Sequence, residues 1–471
     1  MGLVLIEEWI RHWVERKTFL YASGVLPPGV WQSPFSLLTH LSDGWSIDLF
    51  MLLGLVCTVA FTLGLFTRLS HILTFLFQLQ IVFRNEPINN AGEVITSCFL
   101  FWTFFLPLNE VWSLDRKYFP SLQDWRPKKH WAALGIYIQF FVIYFAAALS
   151  KTGPFWSDGT ALHYFWNLTF GGHLGLILAH FLPLFAIQIL SSCSLAIEFL
   201  SPWAILLPFT RFPIRRWAAF ALIAMHFGID ITFYTGGFQF ASIASCFLLL
   251  DSGFWNSLQS KFKFNFLKSP QTLSNSHLPR ALEKYVTAFL LIMTSLTLYT
   301  GASDCLRTRL NNSGLLPVPS LVDHVFKSLN MTQIWRMYAP QPGNLRRWWI
   351  FQATLKDGSQ LDLITGKPPN LNRPDDIGGR MSRYWTRSVF IMPVPYFQKL
   401  APPLVDYLFR SHPEVQISQL DLVFIDQTSP NPGYDTAYPL RVYSLYRKDF
   451  TQNSEQWFSF QALYNWNWEK Q

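Results

Sequence analysis

The sequence predicts an all-α polytopic membrane helix bundle of about eight spans, followed by a small α+β extracytoplasmic domain. Half of the 471 residues are apolar and only 14% are charged, against about 25% in a typical soluble domain. Aromatic residues reach 17% and include 44 Phe and 20 Trp. A chain of this composition would be insoluble as a single water-soluble globule, whereas Trp and Tyr are favoured at membrane interfaces.

Eight apolar runs predict the spans. A helix crosses a bilayer with about 20 mostly apolar residues, within a range of about 17–25. Two of the runs are shorter than this and could be re-entrant or extended by flanking aromatic residues, so the count carries a margin of one or two. In chain order the runs cover 47–66, 69–83, 91–108, 131–150, 184–209, 217–235, 238–251 and 284–302.

The basic residues between these runs predict the orientation of the bundle. With eight spans, four connections rich in Lys and Arg fall on one face, and the positive-inside rule assigns that face to the cytoplasm. The connection 151–183 and everything after 303 then face outward. The net charge of +8 is explained by contact with a lipid bilayer and not by nucleic acid. The four connections contain Arg68; Arg116, Lys117, Arg126, Lys128 and Lys129; Arg211, Arg215 and Arg216; and Lys261, Lys263, Lys268 and Arg280.

The first eighteen residues differ from the apolar runs. They carry three Glu, two Arg and one Lys, which is too much charge for the core of a cleavable signal peptide. An interfacial helix is the better interpretation, with Trp9, Trp13 and Phe19 as its anchors.

The composition changes at about residue 303, so we divide the chain into a transmembrane domain at 1–302 and an extracytoplasmic domain at 303–471. The segment 348–363 alternates in polarity around Asp357-Gly358 and predicts a β-hairpin, because this dipeptide favours tight turns between strands. A second strand pair is predicted at 415–426 and 439–447, and helical stretches at 379–411.

Familiar sequence signatures of other classes do not occur. The five cysteines show no CxxC or metal-type spacing, so neither a disulfide framework nor a metal site is predicted. There is also no Walker loop, no GxGxxG, no HExxH and no GxSxG.

Ionisable groups inside the apolar runs are the first candidates for function. Asp, Lys or Arg at the centre of a spanning helix costs roughly 2.5–3.5 kcal/mol on insertion scales, so such groups tend to be retained for a purpose. Glu93, Glu198, His226 and Asp230 are of this kind. His226 and Asp230 are four residues apart and share a helix face, so they could form a His–carboxylate pair. The alternative for His226, Asp230 and Glu198 is polar contact that joins helices.

Lys151 lies at the outward end of the run 131–150 and is followed by Trp156. Desolvation there would make its neutral amine available as a base. The alternative is an ordinary lysine whose ammonium reaches the membrane surface from a helix end.

A dense polar cluster, residues 84–90, lies between two runs on the same predicted face as Lys151. Its side chains Arg84, Asn85, Asn89 and Asn90 are candidates for binding a substrate. The alternative is a polar loop that caps the next helix, because Asn is a favoured N-cap residue.

These motifs together resemble the HTTM family, named for a horizontally transferred transmembrane domain. The resemblance runs over most of residues 1–365, and it depends on the order and spacing of the motifs. They are Phe83-Arg84-Asn85 through Asn89-Asn90, Phe104-Phe105-Leu106-Pro107-Leu108, Trp112-Ser113-Leu114-Asp115, Ser150-Lys151 with Trp156 and Gly159-Thr160-Ala161, Glu198 with Pro202, His226 followed by Phe238, and Trp335-Arg336-Met337-Tyr338-Ala339-Pro340.

The family is similar to the membrane part of vitamin K-dependent gamma-glutamyl carboxylase. The resemblance implies that Lys151 is the base that deprotonates a reduced quinone such as vitamin K hydroquinone, and that oxygenation then generates a strong base for a substrate proton. The sequence departs from the carboxylase at Asn89-Asn90-Ala91, where the carboxylase has Asn-Asn-His. It also lacks the large lumenal part, and Gly2-Leu3-Val4-Leu5 resembles the middle of the first helix, so the N-terminal half of that helix is expected to be absent.

Two functions follow as hypotheses. One is a quinol-dependent enzyme that modifies secreted or membrane polypeptides in the plasma membrane of a bacterium. The other is a non-catalytic maturation or accessory protein for a secreted client. A transporter ranks below both, because no internal repeat is found. For the first hypothesis, the candidate catalytic residues are Lys151, Glu198 and His226, and the candidate substrate-binding residues are Arg84, Asn85, Asn89, Asn90, Trp156 and Asp230.

Overall fold

The structure is a computed structural model of the whole chain. It describes residues 1–458 apart from 29, 31–32, 42–43, 110–112, 120–130, 208–212, 263–278, 374–383, 385–393 and 434–437. Several predicted features therefore lie outside the described residues. These are Trp112, Arg126, Lys128, Lys129, Arg211, Lys263, Lys268 and most of 379–393.

Helices form most of the first 330 residues, and a further helix lies between strands of the C-terminal region. In chain order they are α1 (Gly2–Val14), α2 (Arg16–Phe19), α3 (Gly44–Leu63), α4 (Thr67–Arg84), α5 (Ala91–Thr103), α6 (Leu114–Tyr118), α7 (Trp131–Ser150), α8 (Pro154–Ser157), α9 (Ala161–Trp166), α10 (His173–Phe181), α11 (Leu184–Leu206), α12 (Ile214–Thr232), α13 (Phe238–Cys246), α14 (Ser252–Phe262), α15 (Arg280–Arg309), α16 (Ser320–Ser328) and α17 (Val394–Ser411).

Four of the described helices are long and apolar enough to cross a membrane, namely α3, α7, α11 and α15. The segments Phe238–Leu249 and Ser252–Lys261, bent by 100°, could together supply a fifth span. Each of the eight predicted runs does overlap a helix, but α5 has only 13 residues, and α4 and α12 carry several polar side chains. The count of eight spans therefore remains a prediction, while the mostly helical class is confirmed.

Helix α7 lies at the centre of the bundle and packs against α5, α11 and α15. Most of its residues are buried, whereas most of those in α3 and α11 are not, as expected for helices that face lipid. The large aromatic side chains of Trp102 and Phe140 fill the core beside α7.

The N-terminal helix is part of the bundle. Trp9 is buried between Phe50 and Phe77, and a Cβ atom at Gly54 would lie 2.1 Å from its ring. Phe19 is buried as well. The prediction that Trp9 and Phe19 anchor an interfacial helix is therefore wrong for both, because each packs inside the protein.

The last third of the chain builds an antiparallel sheet from five strands, β1 (Leu345–Leu355), β2 (Gln360–Asp362), β3 (Ile417–Thr428), β4 (Arg441–Asp449) and β5 (Ser454–Trp457). Their order in the sheet is β2-β1-β3-β4-β5. The hairpin β1–β2 turns at Gly358, whose φ of +84° suits glycine, and the pair β3–β4 is antiparallel as predicted. The sequence does not predict the edge strand β5. The predicted domain boundary at residue 302 lies within α15.

The sheet packs on segments that come from the start of the chain. Its core contains Trp349, Phe351 and Phe424, and it also contains Val25 and Leu26 from the stretch after α2. The sheet therefore packs against the end of the bundle that carries the connection between α2 and α3.

Three contacts join segments outside the long helices. Asp115 accepts a hydrogen bond from the backbone amide of Thr67 at 2.7 Å, and Arg216 pairs with Asp251 at 2.8 Å. The imidazole of His163 contacts the carbonyl oxygen of Pro430 at 2.8 Å. Each contact joins two segments that the positive-inside rule assigns to the same face, and the orientation across a membrane stays a prediction.

Candidate functional site

A cavity of about 350 Å³ opens between α7, α11, α12 and α13, and it brings together the three predicted catalytic residues. Most of its wall is aromatic or aliphatic. The short stretch before α5 and the segment after α16 close its remaining sides. The cavity is lined by Asn89, Asn90, Ala91, Ile143, Tyr144, Ala147, Lys151, Phe170, Glu198, Met225, His226, Ile229, Phe233, Tyr234, Thr235, Phe238, Gln239, Met337 and Tyr338.

Lys151 and Glu198 form a buried ion pair in this wall. Helix α7 ends at Ser150, so the next side chain turns toward α11, where its Nζ donates to Glu198 Oε2. The Lys151 side chain is only 3% exposed and that of Glu198 12%. Lys151 is therefore not a lysine that reaches the surface from a helix end. A proton that moved from Nζ to the carboxylate within this pair would leave a neutral amine beside the cavity.

Trp156 contacts the Lys151 side of the ion pair. Its ring lies 5.0 Å from Lys151 Nζ, a cation–π distance, and its Nε1 donates to the carbonyl oxygen of Tyr338 at 3.1 Å. Trp156 does not line the cavity. Its contacts suit it to hold Lys151 in place.

His226 has two neutral partners. Its Nε2 lies 2.7 Å from the Tyr144 hydroxyl and its Nδ1 lies 2.5 Å from Gln239 Oε1. The expected pair with Asp230 does not form, because both ring nitrogens already have partners. Asp230 is half-buried on α12 and does not line the cavity.

Asn89 and Asn90 both line the cavity, and each is also held by the backbone. Asn90 caps α5: its Oδ1 accepts from the Gly92 amide at 2.6 Å, and the Glu93 carboxylate accepts from the backbone amide of Asn90. Asn89 Nδ2 donates to the carbonyl oxygen of Val82 at 2.7 Å. This capping role explains why an ionisable residue, Glu93, occurs inside a predicted apolar run.

Arg84 and Asn85 lie away from the cavity. The Arg84 guanidinium is buried and donates to the carbonyl oxygen of Leu26 at 3.0 Å, and Asn85 Nδ2 donates to that of Phe19 at 3.2 Å. Both side chains fasten the stretch after α2 to the end of α4.

Sequence reasoning missed five polar residues of the cavity, namely Tyr144, Tyr234, Thr235, Gln239 and Tyr338. Tyr144 lies two helical turns before Lys151, which directly follows α7, but a tyrosine among phenylalanines gives no local sign that it lines a cavity. Burial raises the pKa of the Tyr338 phenol, so this hydroxyl keeps its proton at neutral pH. Gln239 Nε2 is buried and has no hydrogen-bond partner among the described residues, although its residue lines the cavity.

Residues 28–254 match the model of the HTTM domain. The match takes in every lining residue of the cavity except Met337 and Tyr338. No protein of curated function and no solved structure matches the chain.

Proposed function

We propose that this membrane protein, which carries an HTTM domain, is a quinol-dependent modifier of secreted or membrane polypeptides. The cavity is its ligand site. A relation to vitamin K-dependent carboxylases is a general property of that family. The class of ligand is a reduced, lipid-soluble quinone such as vitamin K hydroquinone.

The observation that carries this proposal is the buried Lys151–Glu198 pair in the wall of an apolar cavity. Small-molecule sites typically measure about 300–1,000 Å³ and combine apolar walls with a few polar groups. The cavity fits this description and suits a flat ring system. The unpartnered Nε2 of Gln239 is a further polar group that a ligand oxygen would satisfy.

A bound quinol supplies redox chemistry that side chains lack. The chain's own residues then have three tasks. The aromatic and aliphatic walls hold the ring and exclude water. Transfer of a proton from Lys151 Nζ to Glu198 Oε2 leaves an amine, and that amine accepts the proton of a ring hydroxyl. Trp156 keeps the resulting ammonium over its ring, which stabilises the cation.

Purified protein in nanodiscs, supplied with vitamin K1 hydroquinone, tests the proposal. We expect quenching of tryptophan fluorescence on binding and oxygen-dependent consumption of the hydroquinone above the rate in empty nanodiscs. Lys151→Met should abolish the consumption. Lys327→Met, which removes a lysine from an exposed i,i+4 pair with Asp323, should leave it unchanged. Absence of both binding and consumption in the unmodified protein would refute the proposal.

A non-catalytic maturation or accessory protein is the alternative, and Ala91 favours it. This residue lines the cavity at the place where the carboxylase pattern has a histidine, so a methyl group stands in place of an imidazole. An accessory protein would bind its client equally well with Lys151→Met and would change no client mass. Co-expression with a small secreted precursor encoded nearby, followed by mass spectrometry of that precursor, separates the two functions.

A further inference from the structure

Tyr144, His226 and Gln239 form a chain of hydrogen bonds across three helices of the cavity wall. The Tyr144 hydroxyl lies 2.7 Å from His226 Nε2, and His226 Nδ1 lies 2.5 Å from Gln239 Oε1. All three side chains are buried and all three line the cavity. The proposed proton transfer at Lys151 does not use them.

Gln239, the last member of this series of hydrogen bonds, determines which atoms of His226 and Tyr144 carry the protons. An amide oxygen only accepts hydrogen bonds, so His226 Nδ1 carries a proton and donates it to Gln239 Oε1. In a neutral imidazole the other nitrogen is then an acceptor. His226 Nε2 therefore accepts from the Tyr144 hydroxyl, whose only proton is engaged. The Tyr144 oxygen, whose other neighbour is Cys246 Sγ at 3.9 Å, is then left with lone pairs in a residue that lines the cavity.

This acceptor lies on the same wall as the ion pair. Tyr144 lies on α7 and Lys151 directly follows the last residue of that helix, so the two positions are seven residues or roughly 10 Å apart. Ala147 lines the cavity between them and contributes only a methyl group. The wall thus has two polar ends separated by a small apolar residue, an arrangement that leaves room for a flat ring between them.

We infer that the Tyr144–His226–Gln239 chain makes the cavity selective for the reduced form of its ligand. This inference rests on the proposed quinol-binding function. A hydroquinone hydroxyl can donate to the Tyr144 oxygen. A quinone carbonyl can only accept, so it would face the lone pairs of that oxygen with no proton between them. The ammonium of Lys151 and the Nε2 group of Gln239 can donate to an oxygen of either form, which leaves discrimination to the Tyr144 oxygen.

The test compares the dissociation constants of 2,3-dimethyl-1,4-naphthohydroquinone and its quinone, measured anaerobically with the full-length protein in nanodiscs. We expect the unmodified protein to prefer the hydroquinone by about tenfold, the size of effect that one lost hydrogen bond and one repulsive contact produce. Tyr144→Phe should bind both forms with the same affinity. Gln239→Leu, which frees Nδ1 and permits the other imidazole tautomer, should also reduce the preference.

Tyr137→Phe is the matched control. Tyr137 lies two turns before Tyr144 on the same helix, but its hydroxyl accepts from Arg215 at 2.9 Å and it does not line the cavity. This variant should keep the tenfold preference. Equal affinity of the unmodified protein for both forms, or a preference that survives Tyr144→Phe, would overturn the inference and leave quinol binding intact. If neither form binds, it is the proposed function that fails.

Discussion

The side-chain amide of Gln139, midway along α7, donates to Gln333 Oε1 at 2.7 Å and so joins the centre of the bundle to the segment after α16. Trp335 Nε1 donates to the same oxygen at 2.9 Å. Gln139, Gln333 and Trp335 are all buried. Residues 331–338 therefore enter the helix bundle, and their last two members, Met337 and Tyr338, close one side of the cavity.

Loss of one glutamine of this pair should destabilise the protein strongly. Gln139→Leu removes the hydrogen bond to Gln333 Oε1, which keeps its bond from Trp335, and it takes away the acceptor of the buried Trp102 Nε1, which donates to Gln139 Oε1 at 3.4 Å. We expect a loss of about 1–3 kcal/mol of unfolding free energy. The double variant Gln139→Leu/Gln333→Leu should recover part of that loss. Unfolding in bicelles gives the coupling energy through a double-mutant cycle. Gln188→Leu, in the second turn of α11, is the control: it removes only an exposed hydrogen bond to the carbonyl oxygen of Asp158 and should change stability by less than about 0.5 kcal/mol. Additive losses in the double variant would contradict the expected coupling.

Stability and activity should separate at the ion pair. Lys151→Met or Glu198→Gln alone leaves a buried charge unpaired, for which about 3–5 kcal/mol of destabilisation is expected. The double variant removes both charges and should regain most of the stability. It should still consume no hydroquinone, because no amine remains. Chemical unfolding and hydroquinone consumption are measured on the same preparations, and activity in the double variant would exclude Lys151 as the base.

Filling the cavity should block ligand binding without breaking the ion pair. Ala147→Phe adds a ring between Tyr144 and Lys151, where space for the ligand is expected. We predict loss of tryptophan quenching by vitamin K1 hydroquinone. Ala186→Phe on α11, away from the cavity, should bind normally. Unchanged binding in Ala147→Phe would mean that the ligand occupies another site.

The contact between α9 and the sheet should depend on pH. Burial is the main cause that lowers the pKa of His163 below its usual value of 6.5. A histidine with a depressed pKa in the folded state contributes its stability above the unfolded pKa and loses it as the pH falls below about 6.5. Protection against hydrogen exchange near Pro430, corrected for the intrinsic exchange rate at each pH, should therefore fall between pH 7.5 and pH 5.5. In His163→Gln the exchange should change less over this range, and an identical pH response would exclude His163 as its origin.

The orientation of the chain is testable with inserted protease sites. The exposed turn at Gly358 should be cut when protease is added to intact spheroplasts, because the proposed topology places the sheet outside a bacterial plasma membrane. A site after Lys261, at the exposed end of α14, should be cut only after the membrane is broken. The reverse pattern would invert the topology.

Local patterns in the sequence predict much of this architecture, because they report what neighbouring residues do. The Asp357-Gly358 turn requires a positive φ that glycine supplies, and hydropathy finds the helices. Pairings across long separations are invisible to such patterns. Nothing near Gln139 indicates Gln333 as its partner, and nothing near Lys151 indicates Glu198. For the same reason Tyr144 was missed, since a tyrosine among phenylalanines on α7 looks like core until α12 and α13 are placed beside it.

The burial of Val25 and Leu26 within the sheet core imposes an order on biogenesis. These residues leave the ribosome among the first, while β3 and β4, which cover them, come near the end. At about 5–20 residues per second, the interval is on the order of tens of seconds. Until it has passed, an apolar surface outside the helices has no partner and can be held by a chaperone, so premature termination anywhere before Ile417 leaves a product that quality-control proteases can recognise.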